Sequence, residues 1–199
     1  MTGKTHMALG VLTTLFITQP ESPKEFLICL GVSSMGSVLS DIDVSTSSSR
    51  NVLNKTLLVI GISIAILFFA EFKWGISLSE GIQSIFRVII GLAFFLGICI
   101  YGMNTPHRSF MHSFLAIALI TIATYIVLPE GAIYMIISMM SHIILDMFNK
   151  KKVQILYPSN KGISLNICKA NGMANSVLFK VSSILLTLYV FLFLLRYYL

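Results

Sequence analysis

Apolar runs separated by short polar or turn-rich stretches divide the chain into about seven predicted helices, roughly 6–18, 26–40, 56–70, 82–103, 111–128, 132–148 and 176–199. The breaks are Gln19-Pro20-Glu21-Ser22-Pro23, the polar run from Ser45 to Asn51, Trp74-Gly75 and Pro129-Glu130-Gly131. The longest connection without a helical pattern runs from Asn149 to Asn175 and carries Pro158, Gly162 and Gly172. A membrane span needs roughly 20 mostly apolar residues. The first two predicted helices are short by that measure and are expected to be tilted, re-entrant or partly interfacial.

Composition turns this pattern into a membrane protein. The 199 residues are 56% hydrophobic and only 11% charged, with a mean hydropathy of +0.87, whereas soluble domains carry about 25% charged residues. The expectation is an all-α polytopic transmembrane helical bundle in which residues 1–199 form a single domain. The first helix reads as retained, because Gln19, Pro20, Glu21 and Lys24 follow it where a secretory signal would have a small-residue cleavage site. Cys29, Cys99 and Cys168 are scattered and imply no disulfide framework. Cys29 and Cys99 read as small hydrophobes, and Cys168 has no CxxC partner.

If the chain crosses at every helix, His6, Asp41, Asp43, His107, His112, His142 and Asp146 all fall on one face of the membrane. Lys4, Arg50, Lys55, Arg108, Lys150, Lys151, Lys152, Lys161, Lys169 and Lys180 share that face, against Lys24, Lys73, Arg87 and Arg196 on the other. Basic residues mark the cytoplasmic side, so the histidines and aspartates are expected to face the cytoplasm. This placement also explains the net charge of +6. No nucleic-acid partner is expected, since no aromatic-interleaved basic motif accompanies the charge. Membrane lipids are the expected partners, with Lys150 to Lys152 attracted to anionic headgroups by about 1 kcal/mol per basic residue. All five glutamates fall on the opposite face, so carboxylate ligands on the cluster face have to be aspartates.

All four histidines and all three aspartates lie in four short clusters. His142 and Asp146 are four apart, on one helix face. Alone, such a pair reads as an interfacial hydrogen bond, yet an aspartate near a membrane helix is costly unless paired or metal-bound. Asp41 and Asp43, in SDIDVSTSSS, are expected in an extended turn that aims both carboxylates at one cation; alone they read equally as a helix-ending turn. His107 and His112, in NTPHRSFMHSF, need a loop followed by the first turns of a helix to reach one site. Arg108 between them suits an anionic oxygen, or equally a headgroup. His6 alone reads as a capping or interfacial residue. Together the seven suit zinc, manganese or iron, with enough ligands for more than one ion. Such a site activates water and clamps a phosphoryl or acyl oxygen, which predicts hydrolysis.

The order THMALG, SVLSDIDVSTS, HRSFMHS and SHIILDMF followed by VQILYPSNKGISL resembles the YdjM-like family of bacterial inner-membrane metal-dependent hydrolases over nearly the whole chain. The resemblance implies a multi-pass protein of the inner membrane with a site made of His6, Asp41, Asp43, His107, Arg108, His112, His142 and Asp146. Its pattern has proline at Ser40, glycine at Ser109, threonine at Met111 and often histidine at Val44, so this chain departs in its loops while keeping every implied ligand. Similar ligand types occur in the all-helical zinc phospholipase C and P1 nuclease group, which implies phosphoester chemistry by analogy.

The expected function is therefore metal-dependent hydrolysis of a phosphoester, including a lipid-linked one. Arg108, His112 and Asp43 are the expected catalytic residues and divalent metal, foremost zinc, the cofactor. The rival is a metal-binding protein or transporter without enzyme activity, whose site would lie near the bilayer midplane. A di-iron carboxylate oxidase is disfavoured, since it needs Glu-x-x-His pairs.

Overall fold

A computed structural model of the chain describes residues 1–44, 81–169 and 172–198. The predicted helix 56–70 and the breaks at Ser45–Asn51 and Trp74-Gly75 lie outside them. Six α-helices are described: α1 (Gly3–Thr18), α2 (Pro23–Leu39), α3 (Gly81–Met103), α4 (Phe114–Val127), α5 (Ala132–Met147) and α6 (Met173–Tyr198). Short 3-10 turns cover Ser40–Asp43, Phe110–His112 and Pro129–Gly131. No strand occurs among the described residues; isolated bridges join Asn149 to Cys168 and Val153 to Ile163.

Local chemistry sets the boundaries. α1 ends where Gln19 enters the left-handed region at φ 43°, its N–H bonded to the Leu15 carbonyl, and Pro20 forbids continuation. α2 begins with Ser22, whose side chain accepts the Glu25 N–H, and with Pro23 in the first turn. Its run continues through the Ser40–Asp43 turn, so that Pro23–Asp43 is long and apolar enough to cross a membrane, as are Phe86–Met103, Pro129–Met147 and Met173–Tyr197. The second predicted helix is thus not short. α1, with 16 residues, measures about 24 Å at 1.5 Å per residue and stays below the roughly 30 Å hydrocarbon thickness.

α5 packs against α1, α2 and α4; α3 lies on α4, and α6 lies on α1. Small residues permit close approach. A Cβ on Gly10 would overlap the Ser37 side chain between α1 and α2, and one on Gly36 would overlap Ser138 between α2 and α5. Lipid tails supply no hydrophobic drive between helices, and such contacts let van der Waals packing act instead. One apolar cluster, including Leu39, Ile42, Phe110, Met111, Met139, Ile143 and Val153, packs beside the ends of α2 and α5. A second joins Val11, Leu15, Phe26, Cys29 and Tyr134 to α6 residues such as Tyr189 and Phe193. Cys29 and Cys99 are buried among apolar groups, as small hydrophobes are.

Candidate metal centre

The C-terminal ends of α2 and α5, the start of α1 and the loop before α4 converge at one end of the bundle, and the seven histidines and aspartates meet there. Asp41, His112, His142 and Asp146 each offer a ligand atom within 4.8 Å of the others. Asp43, His107 and His112 form a second such group that shares His112 with the first. His112, His142, His6 and Asp146 are almost wholly buried, whereas His107 is exposed.

The Asp41–Asp43 pair departs from its expected geometry. The two residues sit in a 3-10 turn closed by the Val44 N–H on the Asp41 carbonyl at 3.2 Å, not in an extended segment. Positions two apart on such a turn do not share a direction. Their carboxylates therefore face opposite edges of one imidazole, with Asp41 Oδ1 3.8 Å from His112 Nε2 and Asp43 Oδ2 3.5 Å from His112 Nδ1. His112 itself is not in the first turns of a helix as expected. Ser113 adopts an extended conformation and caps α4 by accepting the Ala116 N–H, which leaves His112 in its own short turn.

His142 shows the clearest preparation for a cation. Its Nδ1 lies 2.6 Å from the Ser37 carbonyl, which can only accept, so Nδ1 carries a hydrogen and Nε2 is the nitrogen turned to the site. That Nε2 is buried without a hydrogen-bond partner and stands 3.5 Å from Asp41 Oδ1. A proton or a metal ion between these two atoms would satisfy both, and a backbone carbonyl fixing the opposite nitrogen is the usual support of a metal-bound histidine. Both nitrogens of His112 are also buried without hydrogen-bond partners. The donor set fits a divalent metal.

Asp43 is saturated differently. Its Oδ1 accepts from His107 Nδ1 at 2.8 Å and its Oδ2 from the Arg108 N–H at 3.2 Å, in addition to facing His112. Burial by itself lowers the basicity of the His112 ring, but the carboxylates of Asp146 and Asp43 outweigh it and push its pKa up to about 9. The metal-free protein therefore holds His112 protonated at neutral pH.

Asp146 is the hub of the inner group. Its Oδ1 lies 3.2 Å from His6 Nε2 and accepts from Asn149 Nδ2 at 2.8 Å and from the Met1 amino group at 3.1 Å. Its Oδ2 pairs with Arg108 at 2.9 Å and lies 3.5 Å from His112 Nε2. His6 stacks on His142 with ring centroids 3.9 Å apart, so it is built into the cluster and not left at the interface. Arg108 adopts φ 70°, a conformation costing about 1–3 kcal/mol outside glycine. Its Nη1 donates to the Lys151 carbonyl at 2.6 Å, and its own carbonyl accepts the Gln154 N–H at 2.9 Å. These bonds hold it against the strain.

No pattern in the sequence marks Asn149, although it follows Asp146 by three residues and so returns to the same side of the chain. It is buried and its Oδ1 has no hydrogen-bond partner. Cys168 is half-buried and belongs to neither ligand group.

The fold and this centre define a class, a polytopic helical membrane protein with a buried histidine–aspartate cluster able to hold metal. The chain belongs to the YdjM inner membrane protein family, whose model matches residues 1–198. Comparison with curated proteins and with solved structures finds no match.

Proposed function

We propose that the protein is a membrane-bound metal-dependent hydrolase acting on phosphoesters, with its site facing the cytoplasm. The observation that carries this reading is the convergence of four ligand atoms, from Asp41, His112, His142 and Asp146, within 4.8 Å, with imidazole nitrogens buried and unpartnered among them. Two imidazoles and two carboxylates suit zinc, with manganese or iron as alternatives. A divalent metal in such a set supplies Lewis acidity and acidifies water toward neutral pH. We read Asp43 as the carboxylate that orients His112 and His107, because its oxygens already face those rings and the Arg108 N–H. His112 is common to both groups, which favours one ion in the inner group with Asp43 and His107 behind it over a second ion sharing the same ring.

Arg108 is the residue for substrate anionic oxygens. Its guanidinium is planar and permanently charged, and it touches Asp146 beside the inner group. His6 and Asn149 hold the other oxygen of Asp146. Placement at the helix ends favours hydrolysis at the membrane surface over ion passage, since transport sites lie near the bilayer midplane.

The test is metal content and hydrolysis of a phosphoester and phospholipid panel by detergent-purified protein, for wild type and His112→Ala. Bound zinc or a similar metal and measurable hydrolysis are expected, with the variant losing about 100-fold or more in activity, as for a removed metal-activating group. Activity that survives the substitution removes His112 from the mechanism.

A further inference from the structure

The segment following α5 has an unusual surface for a loop between two membrane-crossing helices. Residues 150–169 expose Lys150, Lys151, Lys152, Lys161 and Lys169 together with Leu156, Ile163, Leu165 and Ile167, which are 42–66% exposed. No aspartate or glutamate occurs anywhere after Asp146. Apolar side chains exposed among cations, without a single balancing acid, are unfavourable in water and favourable in an anionic headgroup layer, where the chains enter the acyl boundary and the lysines meet phosphate.

Position supports the same occupant. The segment leaves the end of the candidate span Pro129–Met147 and leads into the span beginning at Met173. It folds back on the first of these, with Leu165 N–H on the Met147 carbonyl at 2.7 Å and Ile167 N–H on the Phe148 carbonyl at 3.0 Å. Its level is therefore that of the span ends. It is also tied to the metal centre, because the Lys151 carbonyl accepts from Arg108 and Gln154 N–H bonds the Arg108 carbonyl.

We propose that residues 150–169 are a docking surface for anionic phospholipid, seated in the headgroup layer beside the loop that carries Arg108. Lipid docking stands independently of catalysis; the step from docked lipid to substrate rests on the hydrolase reading. The lysines select the anionic headgroup and the apolar residues hold the segment down, which keeps the lipid at the end of the bundle that carries the histidines and aspartates.

The experiment places an environment-sensitive fluorophore at Leu156→Cys in full-length protein carrying Cys168→Ser, the remaining described thiols being buried. The labelled protein is reconstituted in phosphatidylcholine vesicles containing equal fractions of either brominated phosphatidylglycerol or brominated phosphatidylcholine. Quenching by both lipids is expected, stronger for the glycerol lipid, with the preference reduced in K150Q/K151Q/K152Q by about fivefold per lysine in local enrichment. Unchanged thermal unfolding of that variant in detergent verifies its fold. A probe quenched by neither lipid, or equally by both in the protein with its lysines intact, overturns the proposal. Because the readout is independent of turnover, an inactive protein with selective quenching defeats only the hydrolase reading, and an active protein without quenching defeats only this one.

Discussion

At the residue scale the centre turns on His112, a ring held between Asp43 on one edge and Asp41 and Asp146 on the other. With both edges facing carboxylates, the metal-free protein keeps this ring protonated up to about pH 9. A metal binds only the unprotonated nitrogen, so it must expel that proton. The sign follows directly: below about 9 protons compete with metal, and raising the pH removes the competition. Zinc affinity measured at controlled free metal should tighten by about tenfold per pH unit from neutrality upward and flatten near pH 9. An affinity constant across that interval would show that His112 donates no lone pair to the metal.

At the scale of elements, the centre depends on α2 and α5 approaching closely enough for Asp41, just past α2, to meet His142 on α5. Gly36 makes that approach possible, since a Cβ there would overlap Ser138 and Met135. Gly36→Val is expected to push the helices apart, lower thermal stability by about 1–3 kcal/mol as overpacking does, and weaken metal binding at least tenfold. Calorimetric metal titration and thermal unfolding of the detergent-solubilised variant check both effects. Unaltered affinity would mean that Asp41 reaches the centre independently of this contact. Helix packing of this kind was only partly legible in the sequence. Long apolar runs predicted α3, α5 and α6 closely, and the confinement of histidine and aspartate to four clusters exposed the ligands. The 3-10 turns that aim Asp41, Asp43 and His112 left no signal, because three or four residues carry no periodicity. Ser113 as a cap was equally hidden inside an apolar run that reads as helix from residue 111. Asn149 and the Ser37 carbonyl escaped because their roles come from tertiary contacts.

For the whole molecule, the distribution of charge gives the bundle two unlike ends. At one end lie the candidate metal centre and the lysines of residues 150–169; at the other, Lys24 and Glu130 form an exposed pair at 2.9 Å, beside Glu21 and Glu25 at the start of α2. Lysines near span ends hold their side in the cytoplasm, while glutamates contribute little to that choice. The cytoplasmic orientation therefore predicts opposite accessibility for two surface positions, Glu130 and Asn160, each examined as a cysteine in a Cys168→Ser background. Losing the exposed Lys24–Glu130 pair costs at most about 1 kcal/mol, so Glu130→Cys leaves the fold intact. A membrane-impermeant maleimide applied to spheroplasts should label Glu130→Cys directly and label Asn160→Cys only after permeabilisation. The reverse pattern would put the centre on the outer face and leave the lysine excess to lipid docking instead of topology. Under the proposed hydrolase reading it would also change the substrate pool, because a site beside the headgroups would draw on the leaflet it faces.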